Sequence, residues 1–455
     1  MFRQRARLGL VTIVGLVMLA VTAGSATAAP FGHIGNGPLA LVESTDAVVR
    51  MPQTVMSSNG DATIFWQRQD LLNDKWTFEF AQVDAHLAAD PQTSPTGFDS
   101  TSTVQPDPLG VAAGPNGSSA IAQHYFDGSN WRIRVARVNG DGVIGTGKSI
   151  SDAKKDSTIP LIALAANGNG VVAWLTDETG IGGWVLHWCT YSAAGATGPV
   201  QSANAKTTTI AGSPSLSISP AGVATLAFRL RDVAKNKYSL QAIRISAVGK
   251  VAKALTVVPL AAGLIDDLNQ ATAANGSTAI AWVNPLESGT NIRVAMVSAA
   301  NVVKTTTGFS GSWPGATKPK VAVSSTGAAA VVWQEEGPAA TQINAARVST
   351  TAAVSTRRLL TSLAYDSFDP AISSGNDGSA LITWTRFPLD LEGPPINGSV
   401  RYSTRGGLSK FEELNSGVDQ TAGSTSSAAT ASGRVVIASQ TESPSGSSID
   451  AWCDF

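Results

Sequence analysis

Aspartates stand shortly before the apolar segments of this chain, and their carboxylates are the side chains best suited to hold a metal ion. Five of them are Asp107, Asp156, Asp267, Asp369 and Asp419. A Ca²⁺ ion takes roughly six to eight oxygen ligands, so several of these carboxylates could bind it if the fold brings them together around one opening. The alternative is turn chemistry, because an aspartate before an extended segment commonly accepts hydrogen bonds from its own turn.

Tryptophans supply a second candidate site, for contact with a ligand. Of the eleven tryptophans, four lie in or beside polar segments: Trp76, Trp131, Trp184 and Trp313. An indole ring combines a large apolar surface with one polar N–H group, which suits stacking on a sugar. We therefore predict that these four side chains contact a ligand and that most of the others pack inside.

The sequence contains no coherent catalytic set. The four histidines, His33, His86, His124 and His187, lack the spacing of a zinc site. Neither a Gly-x-Ser-x-Gly elbow nor a phosphate-binding glycine-rich loop occurs. A glycosidase needs two carboxylates that flank the scissile bond, whereas the adjacent Glu335 and Glu336 are typical of a solvated loop.

A repeat along the chain positions these residues. Eight glycines recur at intervals of 51 to 57 residues, and the residue six positions after each is usually aromatic. They are Gly60, Gly117, Gly168, Gly222, Gly276, Gly327, Gly378 and Gly433. The fourth position after each glycine is always Ile, Leu or Val, and the fifth is mostly Ala. Since neighbouring residues on a strand point to opposite faces, each repeat predicts a strand that is apolar on both faces.

The length and strand content of the repeat predict an all-β protein, a single β-propeller over residues 29–455. Further apolar runs predict four strands in each repeat, which is the composition of a propeller blade. We expect eight four-stranded blades, or seven if the second repeat, which has Gln123 at the aromatic position, forms none. The N-terminal segment 37–42 is expected to complete the last blade and so cover two sheet edges. An open β-solenoid is the alternative fold.

The aromatic-after-turn pattern resembles the broad sialidase-like and secreted bacterial propeller families over essentially all of residues 29–455. The resemblance is architectural. The Asp-box of sialidases, Ser-x-Asp-x-Gly-x-Thr-Trp, is absent, because the turn from Ser324 to Gly327 has no aspartate. The resemblance implies the propeller fold and no activity, since one fold carries many functions.

The two cysteines, Cys189 and Cys453, leave two main interpretations open. An exported protein with one pair of cysteines usually joins them in a disulfide. Both, however, occupy the same position of their repeats, where other repeats have alanine. In a ring these positions would lie in different blades, farther apart than the ~7 Å between Cα atoms that a disulfide allows. Two small buried residues are then the second interpretation.

The first 28 residues have the pattern of an export signal. Three arginines precede an apolar run from Leu8 to Val21, and Ala26-Thr27-Ala28 offers a small-x-small cleavage site. No later segment has the roughly 20 apolar residues of a membrane span, so we predict a secreted, extracellular protein with no stable span in the mature chain. Without residues 1–28 the formal net charge moves from −1 to −4, which disfavours a nucleic-acid partner.

These features together predict a secreted, non-enzymatic β-propeller that binds a glycan, a cell-wall polymer or a protein. Its binding residues are expected on the loop-bearing face, because loops held by a rigid scaffold commonly carry binding sites. No cofactor is expected apart from the Ca²⁺ discussed above. The alternative is a propeller glycosidase or polysaccharide lyase that uses carboxylates at the rim.

Overall fold

The computed structural model describes residues 39–44, 47–84, 89–92, 107–204, 208–246, 248–252, 254–261, 266–310, 313, 315–390, 394–414, 421–443 and 446–453. All of them belong to one unit, His33–Phe455. The predicted signal peptide, His33, His86 and Asp419 lie outside the described residues.

The described residues form strands, turns and bridges, and no helix occurs among them. Strand β1 (Leu39–Ser44) precedes the first repeat. The first two repeats contain β2 (Ala47–Met56), β3 (Ala62–Asp70), β4 (Lys75–Val83), β5 (Ala89–Gln92), β6 (Gly110–Ala113), β7 (Ser119–Phe126), β8 (Trp131–Val138) and β9 (Lys148–Ser149). The third and fourth contain β10 (Ser157–Leu164), β11 (Gly170–Asp177), β12 (Trp184–Tyr191), β13 (Gln201–Ser202), β14 (Thr208–Ile210), β15 (Ser215–Ile218), β16 (Ala224–Asp232), β17 (Lys237–Ile245) and β18 (Leu255–Ala261).

The second half of the chain repeats this order. The fifth and sixth repeats contain β19 (Asp266–Thr272), β20 (Thr278–Leu286), β21 (Gly289–Val297), β22 (Val303–Thr305), β23 (Gly315–Val323), β24 (Ala329–Glu336), β25 (Thr341–Val348) and β26 (Arg358–Leu359). The last two contain β27 (Tyr365–Ser374), β28 (Ala380–Pro388), β29 (Ile396–Tyr402), β30 (Glu412–Glu413), β31 (Thr421–Ala429), β32 (Val435–Ser443) and β33 (Gly446–Cys453).

The repeated glycines lie in the turns between the first and second strands of the repeats. All eight have positive φ, between 72° and 97°. In the sixth repeat, for example, Gly327 N donates to Ser324 O at 3.0 Å, and Ser324 N donates to Ala328 O at 2.9 Å. Glycine occupies this left-handed region without the clash that a Cβ atom causes, so the turns explain why glycine recurs at this position.

The strands form seven sheets, most of them four-stranded and antiparallel like propeller blades. One sheet has eight strands, in which β19–β22 and β23–β26 meet through the single parallel bridge Thr290↔Gly315. The N-terminal strand β1 pairs with β33 and thereby completes the sheet of the last repeat, as the sequence predicted. This pairing covers the outer edge of β33 and joins the two ends of the chain.

The first strands of the repeats lie side by side around a ring. Strand β2 contacts β6, and the contacts continue through β10, β15, β19, β23, β27 and β31 back to β2. We call these the innermost strands. The turn glycines lie at one end of the ring, the turn end. The connections into the innermost strands, and those between second and third strands, lie at the other, the loop end: Gly315 pairs with Glu336 there.

The core fills the space between neighbouring sheets. Trp174, Trp282, Trp333 and Trp384 are at most 1% exposed, and the branched residues two positions earlier are fully buried. Trp384, for example, packs with Val332 of the preceding sheet. Each of these side chains removes roughly 150–250 Å² from water, and burial of apolar surface stabilises a fold by about 25 cal/mol per Å². The predicted column of buried aromatic residues is thereby confirmed for these four positions.

Cys189 and Cys453 are both buried and free, so the disulfide interpretation is wrong. Cys189 lies on β12 and Cys453 on β33, in two different sheets. Burial raises the pKa of the Cys189 thiol to about 11, although Lys148 acts in the opposite direction. Within the described part of the chain, no helix has the length and hydropathy to cross a membrane.

Candidate functional site

Bulges interrupt the innermost strands near the loop end. The pairing register shifts in β2, β10, β19, β23 and β27. Within each shift one residue has a φ between 45° and 53°; the five are Met51, Ile159, Asp267, Lys318 and Asp369. A residue other than glycine in this region costs roughly 1–2 kcal/mol. A bulge bends the strand and turns its side chains in new directions. The side chains at these five positions therefore do not follow the alternation of the regular strand.

The sequence contained a signal for these bulges that its analysis missed. A proline stands eight residues before the turn glycine in five repeats: Pro52, Pro160, Pro214, Pro319 and Pro370. Four of them lie inside innermost strands, and Pro214 lies between β14 and β15. Proline has no N–H group to donate to a ladder and is found at bulges and strand edges. A proline at a fixed position inside a strand therefore indicates a bulge.

The bulge residues of the fifth, sixth and seventh repeats are charged and contact one another. Lys318 N donates to Asp267 Oδ2 at 3.1 Å, and Lys318 Nζ lies 2.5 Å from Asp369 Oδ1. About half of each side chain of the Lys318–Asp369 pair is exposed. Exposed ion pairs stabilise a fold by roughly 0–1 kcal/mol, so this chain of charges contributes little to holding the repeats together.

A pocket of about 240 Å³ opens beside these residues, where the innermost strands of the fourth, fifth and sixth repeats begin. Its charged side chains are Arg229, Asp266, Asp267, Lys318 and Lys320. We call it the charged pocket. Arg229 Nη1 lies 3.4 Å from Asp266 Oδ1, and the Arg229 Nε–H group also donates to the carbonyl of Ala211. Burial lowers the pKa of Arg229, and Asp266 opposes that effect.

Lys320 is the one cation of the charged pocket for which the described residues provide no hydrogen bond or ion pair. Its side chain reaches solvent through the pocket, yet protein surrounds it on most sides. This loss of surrounding water lowers the pKa of the Lys320 ammonium group, while Asp267 and Asp369 act in the opposite direction. The pocket therefore presents a cation whose hydrogen bonds remain available to a ligand.

The aspartates predicted to ring a metal ion serve instead as acceptors between neighbouring segments. Asp107 accepts from Ile159 N at 2.9 Å and from the Thr158 hydroxyl, and Asp156 Oδ1 accepts from Trp131 N at 2.8 Å. Asp267 and Asp369 contact Lys318, and Asp419 lies outside the described residues. Within the described ranges no three His, Cys, Asp or Glu side chains come together as metal ligands. The described residues thus give no support for the predicted Ca²⁺ ring, and these contacts join neighbouring segments rather than capping the aspartates' own turns.

The four tryptophans predicted to contact a ligand differ in exposure. Trp76, the second residue of β4, is 3% exposed and so presents little surface to a ligand. Trp131 and Trp184 are half-buried at the beginnings of β8 and β12, and the Trp131 ring contacts that of His124 in a tilted arrangement, with 4.3 Å between ring centroids. Trp313 is 38% exposed. All three lie at the loop end.

Glu335 is a buried carboxylate that the sequence analysis placed on a solvated loop. It is fully buried, and it accepts from Trp313 N at 2.6 Å and from Asn344 Nδ2 at 3.2 Å. The indole N–H of Trp333 also donates to it, at 3.3 Å. Glu335 thus links the backbone of Trp313 to β24 of the sixth repeat. Only Glu336, its neighbour, has the exposure expected of a loop residue.

A second cavity, of about 540 Å³, lies at the turn end. We call it the turn-end cavity. The ends of the innermost strands and the glycine turns line it, and none of its lining residues is charged. Alanine and serine predominate, with side chains such as Ser58, Ala113, Ala165, Ala273 and Ala429. It therefore offers a ligand little beyond small apolar and hydroxyl groups.

The chain matches β-propeller proteins in structure. A protein of unknown function from Dyadobacter fermentans is 10% identical to it and matches over 93% of this chain and 99% of its own, with a TM-score of 0.44. The β-propeller domain of the Trilobed protease from Pyrococcus furiosus is 7% identical, over 82% of this chain and 97% of its own, with a TM-score of 0.48. An α-L-arabinanase from Penicillium chrysogenum is 13% identical, over 70% and 99%, with a TM-score of 0.41.

At these identities the likeness concerns the fold alone. No protein-family model matches the sequence, and no curated protein matches it either.

Proposed function

We propose that the chain is a secreted, non-enzymatic propeller of eight blades that binds a glycan at the charged pocket. The observation that carries this proposal is the set of fixed cations and carboxylates at the loop end. Sugar hydroxyls donate to carboxylates and accept from ammonium and guanidinium groups. A hydroxyl-rich ligand therefore complements both kinds of group in the pocket.

The tryptophans at the loop end support the same class of ligand. Trp313 is the most exposed of them, and Glu335 holds its backbone in place through the hydrogen bond to Trp313 N. A residue whose backbone is already held loses less freedom on binding. We propose Trp131, Trp184 and Trp313 as further contacts for a glycan that extends beyond the pocket.

Two structural observations support the count of eight blades, and one sequence pattern supports secretion. The eight-stranded sheet consists of two four-stranded sets, each with its own glycine turn, and the described residues join the sets at one bridge. Each set contributes one innermost strand, β19 or β23, to the ring. For secretion the support is the order of basic, apolar and small residues in positions 1–28.

The test is a binding assay of the mature chain against cell walls and a panel of soluble polysaccharides, with the supernatant assayed for released sugar. We expect binding without release. In the variant Ser213→Trp, a bulky ring enters the charged pocket at an exposed lining residue, and binding should fall at least tenfold.

The matched control is Ser58→Trp, which places the same ring at an exposed residue of the turn-end cavity. This variant should bind as the parent does. Equal losses in the two variants, or no binding to any glycan, would reject the proposal.

A glycan-cleaving enzyme is the second candidate, and one observation favours it. Carboxylates of the fifth and seventh repeats, Asp267 and Asp369, both contact Lys318 beside a pocket that contains Arg229. Carboxylates from different strands at one cleft are what a glycosidase requires. Sugar released in the same assay, and lost in Asp267→Asn, would establish this candidate in place of the first.

A further inference from the structure

We infer that the charged pocket recognises a sugar with a carboxylate, a uronic acid unit, and that Lys320 binds this carboxylate. The inference rests on the proposed function and specifies its ligand. It depends on the place of Lys320 in the repeat, on the pairing of the other charges and on the size of the pocket.

Lys320 differs from two of its equivalents in what its side chain can do. In these two repeats the side chain accepts from the backbone of the next innermost strand: Asn269 Oδ1 accepts from Val321 N at 2.9 Å, and Ser426 Oγ accepts from Thr54 N at 2.8 Å. A lysine ammonium group has three donors and no acceptor. Lys320 therefore cannot make this contact between neighbouring innermost strands.

No other repeat has a charge at this position. The equivalent residues, which pair with the fifth residue after each turn glycine, are Gln53, Gly110, Leu161, Ser215, Asn269, Ala371 and Ser426. A symmetric ring needs no lysine there. The cation is thus a feature of the sixth repeat alone, at the place where the pocket opens.

Lys320 is the one cation of the charged pocket that no described carboxylate pairs with directly, and the remaining carboxylate, Asp267, accepts a hydrogen bond from Lys318 N. Arg229 pairs with Asp266, and Lys318 pairs with Asp369. A ligand with a single negative charge would pair with Lys320, whereas a doubly charged group would be repelled by Asp267 and Asp369 nearby. A carboxylate carries that single charge, and its two oxygens accept the hydrogen bonds that the ammonium group donates.

The rest of the pocket suits the hydroxyl groups of the same sugar. Asp266 and Asp267 line it and provide acceptors for hydroxyl donors. Its volume of about 240 Å³ is smaller than the roughly 300–1,000 Å³ of pockets for drug-sized ligands. One monosaccharide unit fits such a volume, so the pocket would hold a terminal or protruding uronic acid of a longer chain.

The test compares two ligands that differ only in this charge: an oligogalacturonide and its methyl ester, each titrated into the mature chain in a calorimeter. Because esterification removes the negative charge that strengthens the hydrogen bond to Lys320, the free acid should bind on the order of tenfold more tightly than the ester. In Lys320→Met this preference should vanish. Lys320→Arg, which keeps a cation, should retain most of it.

Lys304→Met is the matched control, because it removes the same charge from an exposed residue of β22, outside the pocket. Its preference for the acid should equal that of the parent. Circular dichroism and tryptophan fluorescence of every variant establish that it is folded.

Three results would overturn the inference. Equal affinity for acid and ester would refute the carboxylate while leaving the proposed function intact. Binding of dextran sulfate as tight as that of the acid would indicate attraction to any polyanion. No binding of either galacturonide, together with no binding to the polysaccharide panel, would refute both the inference and the proposed function.

Discussion

The two ends of the ring are made by the same repeats and differ in almost every chemical respect. At the loop end the charged pocket contains three cations and two carboxylates. At the turn end the larger cavity has no charged residue in its lining. One repeat can therefore produce two surfaces, and the difference must come from what each end requires of its residues.

Backbone hydrogen bonds join neighbouring repeats at the turn end. Ala166 N donates to Pro220 O at 3.2 Å, and Asn376 N donates to Ala431 O at 2.8 Å, so that turns of neighbouring repeats are hydrogen-bonded to each other. Such contacts need small side chains and left-handed glycines, and these requirements are the same in every repeat. The composition of this end follows from packing.

The loop end has no such requirement. Its connections differ in length and its bulge residues range from Met51 and Ile159 to Lys318 and Asp369. Variation there costs little stability, because exposed ion pairs contribute roughly 0–1 kcal/mol. The comparison teaches that the constant end of the repeat maintains the ring, while the variable end is free to carry a binding site.

The largest effect that would test this comparison is the loss of a turn glycine. In Gly378→Val a Cβ atom would lie 2.9 Å from Ser324 Cβ of the preceding turn, at a φ of 84°. We expect the free energy of unfolding to fall by about 2–3 kcal/mol, from left-handed strain and crowding together. Urea unfolding followed by tryptophan fluorescence measures it, and the folded fraction should bind glycan as the parent does.

Gly406→Val is the control for the crowding. Gly406 also has a left-handed φ, 81°, but no atom lies within 4 Å of the position its Cβ would take. Its loss should therefore be smaller, limited to the conformational strain of roughly 1–2 kcal/mol. If the two variants lost the same stability, the contact between neighbouring turns would have no part in holding the ring.

The sequence predicted the turn end well because its physical cause is local. A glycine with positive φ, a branched residue four positions later and a buried Trp such as Trp333 repeat along the chain and confirm the order of the strands. The completion of the last sheet by β1 was also predicted, since an unpaired edge is unfavourable. These inferences need only neighbours in sequence and the period of the repeat.

The loop end could not be predicted in the same way. Its pocket depends on which bulge residues meet across three repeats, and the sequence analysis assigned Asp267 and Asp369 to a metal ring that the described residues do not form. Trp76 was predicted to contact a ligand, although burial leaves it 3% exposed. The informative residue, Lys320, differs from its equivalents only when the strand register is known.

A smaller effect should follow from separating the ion pair at the loop end. Lys318 Nζ and Asp369 Oδ1 lie 2.5 Å apart, with 45% and 56% of their side chains exposed. A double-mutant cycle of Lys318→Met and Asp369→Asn, by urea unfolding at low and high salt, should give a coupling energy of about 0.5 kcal/mol or less. A coupling of several times that value would mean that charges maintain the loop end as hydrogen bonds maintain the turn end.

The smallest expected effect concerns Lys320 and has the opposite sign. Its pKa is lowered in the folded chain because surrounding protein removes water, with Lys318 acting in the same direction and Asp267 and Asp369 in the other. Below this lowered pKa, Lys320 is protonated in both the folded and the unfolded chain, and the folded chain bears the cost of keeping that charge away from water. Lys320→Met should therefore be slightly more stable than the parent at pH 7. As the pH rises from the folded pKa towards the ordinary lysine value near 10.5, the unfolded state binds more protons than the folded state, so the parent gains stability and the difference between the two proteins should close.

Urea unfolding of both proteins at pH 7 and pH 10 measures this difference, with Lys304→Met as the control for a charge removed outside the pocket. If Lys320→Met were less stable than the parent at pH 7, Lys320 would stabilise the fold. The distinction between a turn end that maintains the structure and a loop end that binds a ligand would then not hold for Lys320, the residue on which that distinction most depends.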